Sequence, residues 1–287
     1  MIYKEKSFCD SPYTDLACER RRADIRVAGV EYRKEENICG IWERIHISSD
    51  EGARSIGRPM GYYDTLTLPR MDLMDFEEIM GAKEELAGEL CEMVERCDVT
   101  PASVLIVGLG NGELTPDAVG PRTADKVHPT MHIYKLDEGL FDTLGCSKIS
   151  VLKPGVTAKS GLDSSLIVKG VCNLVKPDLV IAIDSLRARD RGRLGSTIQI
   201  SSTGIVAGSG LRGARSEISE ALLGSPVISI GVPTVIDSRA LACGEQKTAS
   251  YHGGDGLMVS PKEIGEIVEN AAEIIGGAIN LAFGICG

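Results

Sequence analysis

Two uninterrupted apolar runs constrain this chain most: Val104-Leu105-Ile106-Val107 and Leu179-Val180-Ile181-Ala182-Ile183. Neither alternates with polar residues, so neither can form a sheet with one face in water. Runs of this kind are strands buried on both faces, which is the environment of a parallel sheet covered by helices. From residue 102 the pattern alternates. Strand candidates fall at 103–107, 131–136, 148–152, 178–183, 196–201 and 226–231, and helix candidates at 117–127, 161–175, 213–223 and 261–283. The reading is α/β: a doubly wound, mostly parallel sheet flanked by helices. Short β-like segments at 24–27, 41–47 and 65–68 precede it and predict a small N-terminal β extension. A helix is expected from Asp75, with Glu78 three residues on as in a capping box. Ile264, Ile267, Val268, Ala271, Ile274, Ile275 and Ala278 line one broad face of the last helix, which can dock on the sheet or meet another subunit. No repeat or low-complexity linker divides residues 16–287, which read as one domain after a polar leader, 1–15.

Composition removes several classes of function. A net charge of −10 argues against phosphate-backbone binding, so no direct nucleic-acid contact is expected. No apolar run reaches membrane-spanning length, and the charged first residues do not resemble a signal peptide. A cytoplasmic enzyme fits this balance. The nine Cys are odd in number and contain no CxxC pair, so they read as reduced, packed thiols.

The chemistry is concentrated after the first run, in VGLGNGELTPDAVGP, Val107 to Pro121. A nucleotide loop fits poorly, because Glu113 stands where the third glycine of GxGxxG belongs and would repel a pyrophosphate. The glycines instead suit a sharp turn at a strand end, with Gly108, Gly110 and Asn111 lining a site and Asp117 in the first turn of a helix opened by Pro116. Asp117 read alone is equally a charge favourable to a helix terminus. Asp184 follows five buried apolar residues, where a carboxylate is costly unless paired or used; capping the next segment is the alternative. Neighbouring carboxylates cannot readily both ionise, so Asp117 and Asp184 together would share a proton. The ionised member could then activate water while the protonated one polarises a carbonyl. No HExxH or GxSxG motif competes with them.

Across the end of the leader runs Tyr13-Thr14-Asp15-Leu16-Ala17-Cys18-Glu19, which is open to proteolysis or, alternatively, the capped start of the next element. With these residues assembled, the chain resembles the germination protease family. The resemblance is carried by TDLACE, IGRPMGYYDTLTLP, VGLGNGELTPDAVGP, LKPGVTAKSGLDSS, DLVIAIDSLRARDRGRLGSTIQISSTGIVAGSG, LGSPVISIGVPTVIDS and LMVSPKEI. It implies a fold similar to hydrogenase maturation proteases. It further implies an aspartic-type endopeptidase acting on small acid-soluble spore proteins, with catalytic residues at Asp117 and Asp184 and no cofactor. A homotetramer in the cytoplasm of the forespore is implied as well, made as a zymogen that cuts itself between Asp15 and Leu16. The segment from Arg239 to Gly256 is shorter than in better-known members. Two other readings stay open: a metal-dependent endopeptidase using the same acids as ligands, and a non-enzymatic nucleotide or small-molecule binding module.

Overall fold

The computed structural model describes residues 14–21, 27–207, 216–242 and 257–284. In chain order the first half contains α1 (Ala17–Arg20), β1 (Val30–Glu36), β2 (Ile41–Ile47), α2 (Asp50–Ile56), β3 (Gly61–Thr67), α3 (Phe76–Arg96), β4 (Ser103–Gly108), α4 (Val119–Lys126), α5 (Met131–Leu136) and α6 (Glu138–Leu144). The second half contains β5 (Lys148–Leu152), α7 (Thr157–Ser160), α8 (Ser164–Val175), β6 (Leu179–Ala188), β7 (Thr197–Ser201), β8 (Ile205–Ala207), β9 (Ser216–Ile218), α9 (Glu220–Leu223), β10 (Val227–Asp237), α10 (Ser238–Ala242), β11 (Met258–Val259) and α11 (Ile264–Phe283).

One sheet runs in the order β1-β2-β3-β7-β10-β6-β4-β5, with β11 alongside part of β10. The strands β10, β6, β4 and β5 are mutually parallel. From β10 outward through β7, β3, β2 and β1 every pairing is antiparallel. The apolar runs occupy the parallel centre, as uninterrupted hydrophobicity requires. On one face, Val104, Ile106, Ile181 and Ile183 pack with Leu86, Leu90 and Met93 of α3 and Ile274, Ile275 and Ile279 of α11. On the other, Leu105, Val107, Val180 and Ala182 meet Val168 and Cys172 of α8 and Leu223 of α9. The N-terminal β extension is the meander β1–β3, whose Ile45, Ile47 and Tyr63 pack on Ala17 and Ile56.

The capping box at α3 is present in both directions: the Asp75 side chain accepts from Glu78 N–H and Glu78 Oε2 accepts from Asp75 N–H, each at 2.9 Å. Phe76, the first residue of α3, is exposed because it precedes the stretch of the helix that meets α11. The broad face of α11 docks inside this molecule, against α3 and α4.

Three expectations are corrected. Residues 131–136 form helix α5, not a strand: Thr130 and Ile149 exchange hydrogen bonds that turn the chain, and Tyr134 folds back edge-on to Phe141 under the Lys148 ammonium. Of residues 213–223, those described from 216 on form β9 and the short α9 in place of one helix. Strand β6 does not end at residue 183 but continues to Ala188, buried throughout. The strand candidate at 24–26, residues 1–13 and residues 243–256 lie outside the described residues.

Candidate active site

Strand β4 leaves the sheet at Gly108, opposite Ile183, and the Leu109 N–H closes the edge by donating to the Ile183 carbonyl at 2.8 Å. Asp184 is therefore the first β6 residue beyond the carboxyl end of β4, the edge at which α/β proteins build sites. The chain then turns through Gly110, with φ +105°; a methyl group there would lie 2.2 Å from the Asp117 carbonyl oxygen. Only glycine allows this approach. Gly108 serves packing in the same way, since a Cβ on it would stand 2.3 Å from the Gly120 carbonyl of α4. Thr115-Pro116-Asp117 form a single 3₁₀ turn ahead of α4. This turn packs against both β6 and β10, and the Thr234 hydroxyl of β10 donates to the Pro116 carbonyl at 2.6 Å.

Asp117 is 8% exposed and Asp184 1%. Asp117 Oδ2 accepts from the Asn111 backbone N–H at 2.8 Å, while the Asn111 side chain is occupied with the Glu113 N–H. Burial pushes the Asp117 carboxyl up to about 6, and the Asn111 amide opposes that rise only in part. Asp184 Oδ1 accepts from the Ser185 N–H at 2.8 Å. The sequence alternative, that Asp184 caps a following segment, gives way because the strand runs on past it.

Asp184 is in register with Gly231 of β10, and Gly231 with Gln199 of β7. Registered residues project to the same face, so Asp184 and Gln199 flank a position without a side chain. Leu186 fills that gap, with its Cδ1 2.5 Å from where a Gly231 Cβ would stand.

On the same strand, further along, lies the segment singled out in the leader. Asp15 N–H donates to the Arg187 carbonyl and Arg187 N–H to Asp15 Oδ2, both at 2.9 Å. Gln199 Nε2 donates to the Asp15 carbonyl at 3.2 Å, and its Oε1 accepts from Ala17 N–H at 2.8 Å. Leu16 and Ala17 are fully buried. Glu19 accepts from Arg189 N–H and Asp190 N–H at 2.8 Å and pairs with the Thr14 hydroxyl. Asp15 is thus paired with the strand that carries Asp184. Sequence reasoning did not find Arg58, Gln199 or Arg187 as partners of this segment, because their only signal is a sheet register that joins residues far apart in the chain. Among the described residues no group of three or more His, Cys, Asp and Glu could hold a metal, and no helix is long and apolar enough to cross a membrane.

Comparison with known proteins fits this geometry to a family. The family model described as germination protease matches residues 13–252. A germination protease of Clostridium acetobutylicum is 34% identical over 95% of this chain and 95% of its own length. One from Caldanaerobacter subterraneus is 34% identical over 94% of this chain and 93% of its own. Among solved structures, a [NiFe] hydrogenase maturation protease, HycI, from Thermococcus kodakarensis aligns with TM-score 0.38 and 18% identity, over 67% of this chain and 99% of that one. The matched region spans the Asp15–Leu16 segment, the glycine turn with Asp117 and the strand with Asp184, and the chain belongs to the germination protease family of peptidases.

Proposed function

We propose that this chain is an aspartic-type endopeptidase that begins the breakdown of small acid-soluble spore proteins at germination, with Asp117 and Asp184 as its acid–base pair. The observation that carries the reading is the placement of two buried carboxylates at one sheet edge, where β4 departs and the Asp117 turn packs against β6. Asp117, with its carboxyl raised to about 6 by burial, is the member that holds a proton and polarises the scissile carbonyl. Asp184 takes a proton from the attacking water. The proton held by Asp117 then passes by way of the tetrahedral intermediate to the leaving amine.

The chain is made in a longer form and cuts itself between Asp15 and Leu16. Supporting this, the Asp15 and Glu19 carboxylates accept from the backbone amides of Arg187 and Asp190, and Gln199 of β7 holds the Asp15 carbonyl. Assembly as a homotetramer in the forespore cytoplasm follows from the family likeness, and exposed Leu166 and Leu174 on α8 offer apolar surface for it. No cofactor is required in this scheme. The metal-dependent alternative would use the same two carboxylates as ligands, and among the described residues no third His, Cys, Asp or Glu joins them.

The test uses a peptide containing Thr-Glu-Ile-Ala-Ser-Glu, with its cut and the protein's own N-terminus mapped by mass spectrometry. Asp117→Asn and Asp184→Asn should each lower both cleavages by at least about 10²-fold, the lower range for acid–base groups, while the protein stays folded. Full activity in either variant rejects the pair. Activity abolished by EDTA and restored by Mg²⁺, Mn²⁺ or Ca²⁺ favours the metal reading.

A further inference from the structure

The bound leader segment marks out a recognition site whose residues persist after the leader has gone. Three guanidinium nitrogens converge on the Thr14 carbonyl: Arg20 Nε at 3.0 Å, Arg20 Nη2 at 2.9 Å and Arg58 Nη2 at 3.2 Å. The Asp15 carboxylate accepts from the Arg187 N–H and faces Arg58 Nη2 at 3.7 Å. Arg58 Nε is buried and makes no hydrogen bond. Asp15 and Arg58 border a cavity of about 140 Å³, together with Tyr63, Gln199, Ser201 and Gly231. Removing residues up to Asp15 would take away the Thr14 carbonyl on which Arg20 and Arg58 converge and the Asp15 carboxylate beside Arg58, and Arg20 is already held below the usual guanidinium range by burial and by Arg58. Such a vacancy suits an incoming carboxylate.

We propose that Arg58, together with the Arg187 backbone amide and Gln199, forms the subsite that reads an acidic residue on the amino side of the bond to be cut. It does so first for Asp15 of this chain and then for its protein substrates. Arg58 supplies charge, the Arg187 amide fixes one carboxylate oxygen, and Gln199 holds the carbonyl of the bond itself. This rests on the proteolytic reading above and extends it to specificity. The geometry also ranks the acids. The 3.7 Å gap between Asp15 Oδ1 and Arg58 exceeds a hydrogen bond. A glutamate, one methylene longer, closes it, so Glu is favoured over Asp and both over the isosteric neutral Gln.

The experiment compares kcat/KM for three peptides that differ only in Glu, Asp or Gln before the cut. The self-processed wild type is expected to favour Glu over Gln by at least about tenfold, with Asp between them. Arg58→Gln, which also loses the contact to the backbone carbonyl one residue earlier, should fall at least about tenfold further on the Glu peptide than on the Gln peptide. Arg58→Glu should reverse the order when Lys is offered at that position. A preference unchanged in Arg58→Gln, or an equal loss on every peptide, overturns the assignment. A second arm needs no catalysis. In the full chain carrying Asp184→Asn, urea unfolding is measured for Asp15→Asn, Arg58→Gln and the double variant. The two changes should be non-additive by at least about threefold in the unfolding constant; additive effects also overturn the assignment. Absence of peptide cleavage by the wild type, with the coupling intact, counts against the protease chemistry and leaves the subsite standing.

Discussion

Replacing Asp117 with asparagine should change how stability depends on pH, by an amount the structure fixes. Burial raises the Asp117 carboxyl from an ordinary 3.8 to about 6. A carboxyl whose folded pKa is raised favours the folded state most where it is protonated in both states. That contribution is complete below about pH 3.8 and is lost as pH rises through 6. Each pKa unit corresponds to about 1.4 kcal/mol, so the loss amounts to about 3 kcal/mol across that interval. Asparagine keeps the shape and can still accept the Asn111 N–H, but it never ionises. The stability of Asp117→Asn minus that of the wild type should therefore increase by about 3 kcal/mol between pH 3.5 and pH 7.5, with most of the rise between 4 and 6. Urea denaturation at half-unit pH steps, followed by circular dichroism, measures it. Groups that titrate alike in both proteins cancel in the difference. A difference that stays constant across the range would refute the claim that Asp117 is buried at a cost when ionised.

Two further predictions concern the same edge. If Asp117 is the proton holder, kcat/KM falls as pH rises through about 6; a profile flat between pH 5 and 8 contradicts that role. Gly110→Ala places a methyl group 2.2 Å from the Asp117 carbonyl at a φ of +105°. It should cost about 2–4 kcal/mol of stability and lower activity about 10²-fold by displacing the carboxylate. A fully active, fully stable Gly110→Ala would show that the turn does not position Asp117.

The parts of this molecule that could be read from its sequence are those set by local rules. The β4 run, the Asp75–Glu78 box and the α11 stripe each declare themselves within a few residues, and each appears where expected. The strand-end turn that carries Asp117 was legible because glycines and Pro116 frame it, although Asp117 lies in a 3₁₀ turn ahead of α4 and not in that helix. Residues 131–136 misled because their fold depends on Ile149 and Lys148, whose side of the contact is invisible in a local window. The length of β6 was missed because Asp184, Ser185 and Arg187 look like a strand end until their partners on β10 and the leader are known. The cradle around Asp15 was illegible for the same reason: Arg58, Gln199 and Arg187 meet only through the sheet.

The pairing of β3 with β7 has a consequence for synthesis. The meander β1–β3 emerges early, yet its inner neighbour is Thr197–Ser201. At a translation rate of about 5–20 residues per second, the inner edge of β3 waits roughly ten seconds for its mate. Gln199, which grips the Asp15–Leu16 junction, arrives on that same late strand. Ribosomal order thus acts as a timer: the Asp15–Ala17 segment cannot be seated until the centre of the protein has been made.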